Sequence, residues 1–268
     1  MTHMLTKRSP LLVIFVVMFS PATWCIAQST DVEGDLVEIA RVQLSGPYMT
    51  EPLPCFDPWN AGDDNRVVVV PDWARAEGLH PADILISIGG RQTVYGQPHS
   101  WLQAMRALPK GADRFDVTVR RAGEDVRLRL SCRSHTSYFE AERRVWTAIT
   151  RRDWNECASA SRSAMQTFGK STSAMIDIQV RCARAGKWST NRLAPLVYEY
   201  CVALLDELSA VVPTEQPSTR KEVLDSVTWL EKNGAAASAS GLRDRLARFP
   251  LAFPDQERPP FRTTLTGR

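Results

Sequence analysis

Histidine is scarce in this 268-residue chain: there are four, His3, His80, His99 and His135, and no two stand at the spacing of a metal-binding pair. No Cys-x-x-Cys appears either, so a zinc site has no basis in the sequence. Gly-x-Ser-x-Gly and Gly-x-Ser-Gly-Gly are both absent, which removes two common settings of a serine nucleophile. No glycine loop leads from a strand into a helix. Gly89-Gly90 follows one strand-like run and precedes another, so no helix N-terminus stands ready for a phosphate. A charge excess is missing too. Lys and Arg number 33 against 30 Asp and Glu, a balance of +3, which makes no electrostatic case for nucleic acid or an anionic membrane surface.

What is present starts with Lys7 and Arg8, followed by the apolar run Leu11 to Phe19 and then Pro21. The run is too short to span a bilayer comfortably and has the length of a secretory h-region. Cys25-Ile26-Ala27 places small residues where a signal peptidase reads, so residues 1–27 are expected to be a signal peptide cleaved after Ala27; the alternative is an uncleaved membrane anchor. Trp24 stands where a lipoprotein has a small residue, against lipidation of Cys25. Loss of Lys7 and Arg8 would take the balance to +1. The expected location is periplasmic or secreted, with membrane contact only if the segment stays attached. Five cysteines would then remain, Cys55, Cys132, Cys157, Cys182 and Cys201, an odd set in an oxidising compartment.

The remaining chain has two halves of different period, enough for one large or two modest domains. From residue 36 to 132, short apolar runs alternate with turns: Val67 to Val70, Ile84 to Ile88, Phe115 to Arg120 and the alternating Val126, Leu128, Leu130 read as strands. Trp101, Ala104, Met105 and Leu108 fall on one face of a short helix, while Pro47, Pro52, Pro54 and Pro58 make 47–64 a loop insertion. After Cys132 the period is helical. Helices are expected near 138–151, 154–168, 172–185, 191–211, 219–233 and 239–248, with capping boxes at Ser137-x-x-Glu140, Asp153-x-x-Glu156 and Thr219-x-x-Glu222. Gly169, Gly186 and Gly234 stand at C-terminal capping positions. The domain of 136–249 is followed by a tail, 250–268, rich in proline.

Two tryptophans, Trp154 and Trp188, recur 34 residues apart, with Ala160 matched by Ala194. Thirty-four is the period of tetratricopeptide helix pairs, and residues 138–211 resemble that family; an ordinary helical bundle is the alternative. If 154–168 and 172–185 form a hairpin, Cys157 and Cys182 lie opposite one another and are well placed to bridge. Cys55 with Cys132 is the next pairing, which leaves Cys201 free, although five cysteines permit others.

The run "VVVVPDWARAEGLHPADILISIGGRQTV", the helix "SWLQAMRAL" and "FDVTVRRAGEDVRLRL" together resemble a PDZ domain of the permuted bacterial type. Ala82 stands where that family has Gly, and no hydrophobic-Gly-hydrophobic loop is evident around Val42 to Tyr48. The fold class expected is α+β: a PDZ-like small β-barrel or sandwich with one or two short helices, then an all-α helical-hairpin domain. In PDZ domains a ligand strand adds to the sheet edge beside the helix. The resemblance implies a groove between a strand at Arg41 to Gly46 and the helix 100–108, with Leu44, Leu102 and Met105 as apolar wall and Ser45 and Gly46 as amide donors. His80, His99 and His135 are expected at the surface. The function expected is an exported, non-enzymatic adaptor with protein or peptide partners in the cell envelope, and with no catalytic residue, metal, nucleic acid or small-molecule cofactor. The alternative is a regulatory or substrate-delivery subunit of an envelope protease.

Overall fold

A computed structural model describes residues 32–46, 49, 52–57, 60–61, 65–94, 100–170, 172–208 and 216–248. The expected signal peptide, the tail and His99 lie outside the described residues, as do Pro47 and Pro58. The chain is mixed α/β, mostly helical, with a four-stranded antiparallel sheet. Among the described residues, no helix is long and apolar enough to cross a membrane.

The sheet module opens with the hairpin β1 (Asn60–Ala61) and β2 (Val67–Val69), followed by the short helix α2 (Asp72–Ala76). Next come β3 (Ile84–Ile88), β4 (Arg91–Gln92), α3 (Ser100–Arg106), β5 (Arg114–Arg121) and β6 (Glu124–Ser131). Their order across the sheet is β4-β3-β5-β6. Gly89 and Gly90 turn β3 into β4 at φ 55° and 79°, left-handed values that cost glycine little. At Gly89 an added Cβ would lie 2.6 Å from Leu108 Cδ2, so the turn also needs the missing side chain for packing. The sequence pattern places Ile84, Ile86 and Ile88 inward together. Instead Leu85 and Ile88 are buried and Ile84 and Ile86 half-buried, because the β3–β5 register slips between Leu85 and Ser87. A one-residue slip exchanges the faces of a strand.

Asp83 holds the turn before β3. Its buried carboxylate accepts the His80 N–H at 2.9 Å and both Arg121 nitrogens, Nε and one terminal nitrogen, at 2.7 Å. Arg121 also donates to the Gly78 carbonyl. Turn, strand and the β5–β6 hairpin are thus tied through one bidentate pair.

The helical module contains α4 (Thr136–Thr150), α5 (Trp154–Phe168), α6 (Ser173–Ala185), α7 (Thr190–Leu208), α8 (Gln216–Lys232) and α9 (Ala236–Arg248). Consecutive helices pack as hairpins. Asp153 caps α5 by accepting the Glu156 N–H, and Gly169 ends that helix at φ 81°. The other two expected capping boxes do not cap. α4 starts at Thr136, one residue before Ser137, and Thr219 lies inside α8. Thr172 caps α6, and the Glu207 carboxylate takes the Ser173 N–H at 2.7 Å.

The first element is a correction. Residues 32–45, expected to supply a strand at Arg41 to Gly46, form helix α1 (Val32–Ser45). Leu36, Val37 and Ala40 repeat at i, i+1 and i+4 and bury against α4, with contact to α6. The domain expected to start at residue 36 therefore gives its first ten residues to the helical core.

Two disulfides brace the chain. Cys157–Cys182 links α5 to α6 across their turn, and Cys55–Cys132 ties the segment 52–57 to the end of β6. Cys201 is a free buried thiol on α7.

Candidate functional site

The five residues predicted to line a groove fall in two separate places. On α1, Leu44 packs against the helical core. Ser45 donates its hydroxyl back to the Val42 carbonyl, and the Gly46 N–H donates to Gln43. Leu102 and Met105 are 7% and 0% exposed, inside the sheet-module core with Leu53 and Trp101. The structure does not bring the two sets together: the apolar side of α1 is used by α4, and that of α3 by the sheet and the core beneath it. The expected groove is replaced by two filled interfaces.

An open backbone edge of the sheet module lies elsewhere, on β6. All eight residues of β6 pair with β5 without a register shift, from Arg114↔Ser131 to Arg121↔Glu124. The Cys132 N–H donates to Asp113 next to β5, so the hydrogen-bonding direction alternates from there. Residues 130, 128 and 126 face β5; residues 131, 129, 127 and 125 face outward. The Ser131 N–H is held by the Glu77 carboxylate at 2.7 Å, and the Arg129 carbonyl accepts from Arg114 at 2.7 Å. Beyond those two, the outward N–H groups of Asp125, Arg127 and Arg129 and the carbonyls of Asp125 and Arg127 have no partner among the described residues. An edge of this kind is a template for another strand. The alternating pattern Val126, Leu128, Leu130 was legible in the sequence; that β6 ends the sheet was not.

Between the modules sits a buried joint built from segment 52–57 and the start of α4. The Phe56 ring lies 5.2 Å from Tyr138, 5.6 Å from Phe168 and 6.3 Å from Trp73, and its N–H donates to Arg133 at 2.7 Å. His135, expected at the surface, is 1% exposed here. Its Nδ1 accepts the Leu53 N–H at 3.0 Å, which leaves Nε2 toward Asp57 Oδ1 at 3.7 Å. Burial pulls its pKa down to about 4. Glu142, on the same helix, is pushed up to about 7 by burial; the nearby Trp146 indole acts in the opposite direction without an aligned hydrogen bond. Tyr138 is held well above its ordinary value by burial first, then by Glu142 and Asp57. Burial disfavours the charged forms of His135, Tyr138 and Glu142 alike, which suits a seam between modules.

A shallow cleft on α4 and the start of α5 is lined by Arg143, Arg144 and Arg151 and by Glu140, Asp153 and Glu156. Arg144 and Glu156 pair at 2.6 Å, and the charges balance in number. His80 is exposed at the turn before β3. Cys201 lies buried in the helical core with its thiol pushed up to about 12 by burial, hence protonated at neutral pH. Among the described residues no cluster of His, Cys, Asp and Glu has the geometry of a metal site.

No protein-family model, curated protein or solved structure matches this chain.

Proposed function

We propose that the protein is an exported, non-enzymatic adaptor that holds polypeptide partners in the cell envelope by strand addition to its sheet module, with the helical module as a rigid scaffold. The observation that carries this reading is the outer edge of β6, where five backbone groups have no partner among the described residues and the ladder to β5 is regular along its whole length. Backbone hydrogen bonds give such an edge affinity for extended chain, and alternate side chains give it selectivity. The likeness to PDZ domains is supported by α3 lying between two antiparallel hairpins, although the place of ligand addition moves from the α3 side, where Leu102 and Met105 are buried in the core, to β6. The tetratricopeptide likeness is supported by the successive hairpins α4–α5 and α6–α7. Two disulfides support an oxidising compartment.

The test is site-specific photo-crosslinking in the cell that makes the protein. A photoreactive residue at Arg127 is expected to capture discrete envelope polypeptides, whereas one at exposed Gln103 on α3 is not. Equal labelling from both positions, or none from Arg127, removes the edge from the account.

A further inference from the structure

We propose that the β6 edge takes an extended partner segment in which apolar residues alternate with acidic ones; this rests on the strand-addition reading above and gives the partner its chemistry. The outward-facing residues 125, 127 and 129 carry their side chains on the solvent face, beside those of β5. That face holds Arg114, Arg120, Arg127 and Arg129 against Asp116 and Asp125. Asp125 is engaged by Arg120 at 2.9 Å. Arg114 is spent on the Arg129 carbonyl. Arg129 is only loosely placed, 3.9 Å from Asp116 with a 73% exposed side chain. Arg127 forms no ion pair among the described residues. Two cations next to free backbone donors thus await acceptors on the neighbouring strand, where directly opposite charges stabilise and like charges oppose.

On the other face, Val126 and Leu128 are half-buried at the rim of the sheet-module core. An added strand would set its inward residues over them, so those residues must be apolar. Its outward residues would lie beside Arg127 and Arg129, so those must be acidic. The Glu77 carboxylate on the Ser131 N–H closes the edge at that end and fixes the register.

A second copy of the chain fits poorly. Antiparallel self-pairing centred on Arg127, Leu128 or Arg129 sets arginine against arginine, and centring on Val126 sets Asp125, already engaged by Arg120, opposite Arg127. The edge also lacks the usual guards against pairing: β6 has no proline, no bulge and no charge among its inward residues Val126, Leu128 and Leu130.

The experiment titrates the full chain with short synthetic peptides alternating valine with glutamate, with threonine or with lysine, followed by fluorescence anisotropy at low and high salt. The glutamate peptide is expected to bind roughly three- to tenfold more tightly than the threonine peptide, the scale of one or two exposed charge pairs, with the preference falling at high salt. Arg127→Pro removes one outward N–H without touching the ladder to β5 and is expected to abolish binding. Should that variant melt early, a glutamate peptide N-methylated at alternate residues tests the same bonds from the partner's side, and its binding is expected to be lost. Arg127→Thr with Arg129→Thr should retain binding and lose the preference for acid. Binding of all three peptides with equal affinity overturns the acidic chemistry while leaving strand addition standing. Binding that neither Arg127→Pro nor N-methylation disturbs overturns both. A dimer dissociated by Arg127→Pro would assign the edge to a second copy, and tighter peptide binding after removal of residues 249–268 would assign it to the chain's own tail; either result overturns the proposal.

Discussion

Ala82 sits at φ 70° in an exposed turn, a left-handed value that a Cβ makes unfavourable. Replacement by glycine relieves about 1 kcal/mol of strain, partly offset by the freedom glycine has when unfolded, so Ala82→Gly is expected to raise the thermal midpoint by a few degrees. Gly89→Ala goes the other way: it combines a left-handed φ with a close approach to Leu108, and should cost about 1–3 kcal/mol in a denaturant titration. The joint residues titrate in opposite senses. Glu142 has a folded value of about 7 against an ordinary 4.5, so its contribution is complete at low pH and is lost as pH rises through that interval. In Glu142→Gln the loss vanishes, and the stability of the variant relative to the parent should grow by on the order of 3 kcal/mol between pH 4.5 and above 7. His135 runs from an ordinary 6.5 to about 4; its contribution is complete above pH 6.5 and is lost as pH falls toward 4. Midpoints measured across pH for Glu142→Gln and the parent check the first slope, and parallel curves would show that the Glu142 carboxyl is solvated.

Elements were more legible than their neighbours. Helices α4 to α9 followed from apolar spacing and from glycine stops such as Gly169, because a helix end depends on residues within one turn. Helix α1 stands where a strand at Arg41 to Gly46 is expected. Its apolar residues Leu36, Val37, Ala40 and Leu44 have a helical repeat, but resemblance of the following segment drew them into the sheet. The slip in β3 had no local signal, since β5 sets it from across the sheet. The Cys157–Cys182 bond could be placed from hairpin symmetry alone. It closes a loop of 25 residues, and replacing both cysteines by alanine is expected to cost roughly 3 kcal/mol through the greater freedom of the unfolded chain; a loss well below that in urea denaturation would mean that the unfolded chain keeps the hairpin together.

At the scale of the molecule, one seam governs how the modules sit together. The Leu53 donation to His135 and the rings around Phe56 cross it, and the Cys55–Cys132 bond holds the segment that carries both residues to the end of β6. So much buried apolar contact predicts that sheet and helical modules unfold together. Phe56→Ala in a chain also lacking Cys55 and Cys132 should split calorimetric unfolding into two transitions, whereas the parent shows one. A single transition in that variant would mean that other contacts couple the modules.

By itself the sequence determined helices α4 to α9, the strand character of β5 and β6, the turn at Gly89-Gly90 and the placing of Cys157 opposite Cys182. Each depends on residues near in the chain or on a symmetry visible along it. Only the tertiary structure decided that α1 belongs to the helical core, that His135 is buried, that Leu44 and Met105 never meet, and that β6 ends the sheet. Those outcomes turn on which surfaces bury best against one another, and that competition is settled between segments far apart in the chain. The backbone edge that carries the proposed function is of this second kind: Arg127 and Arg129 could be read as strand residues, but that no other described segment reaches their N–H groups is set by the packing of the whole sheet.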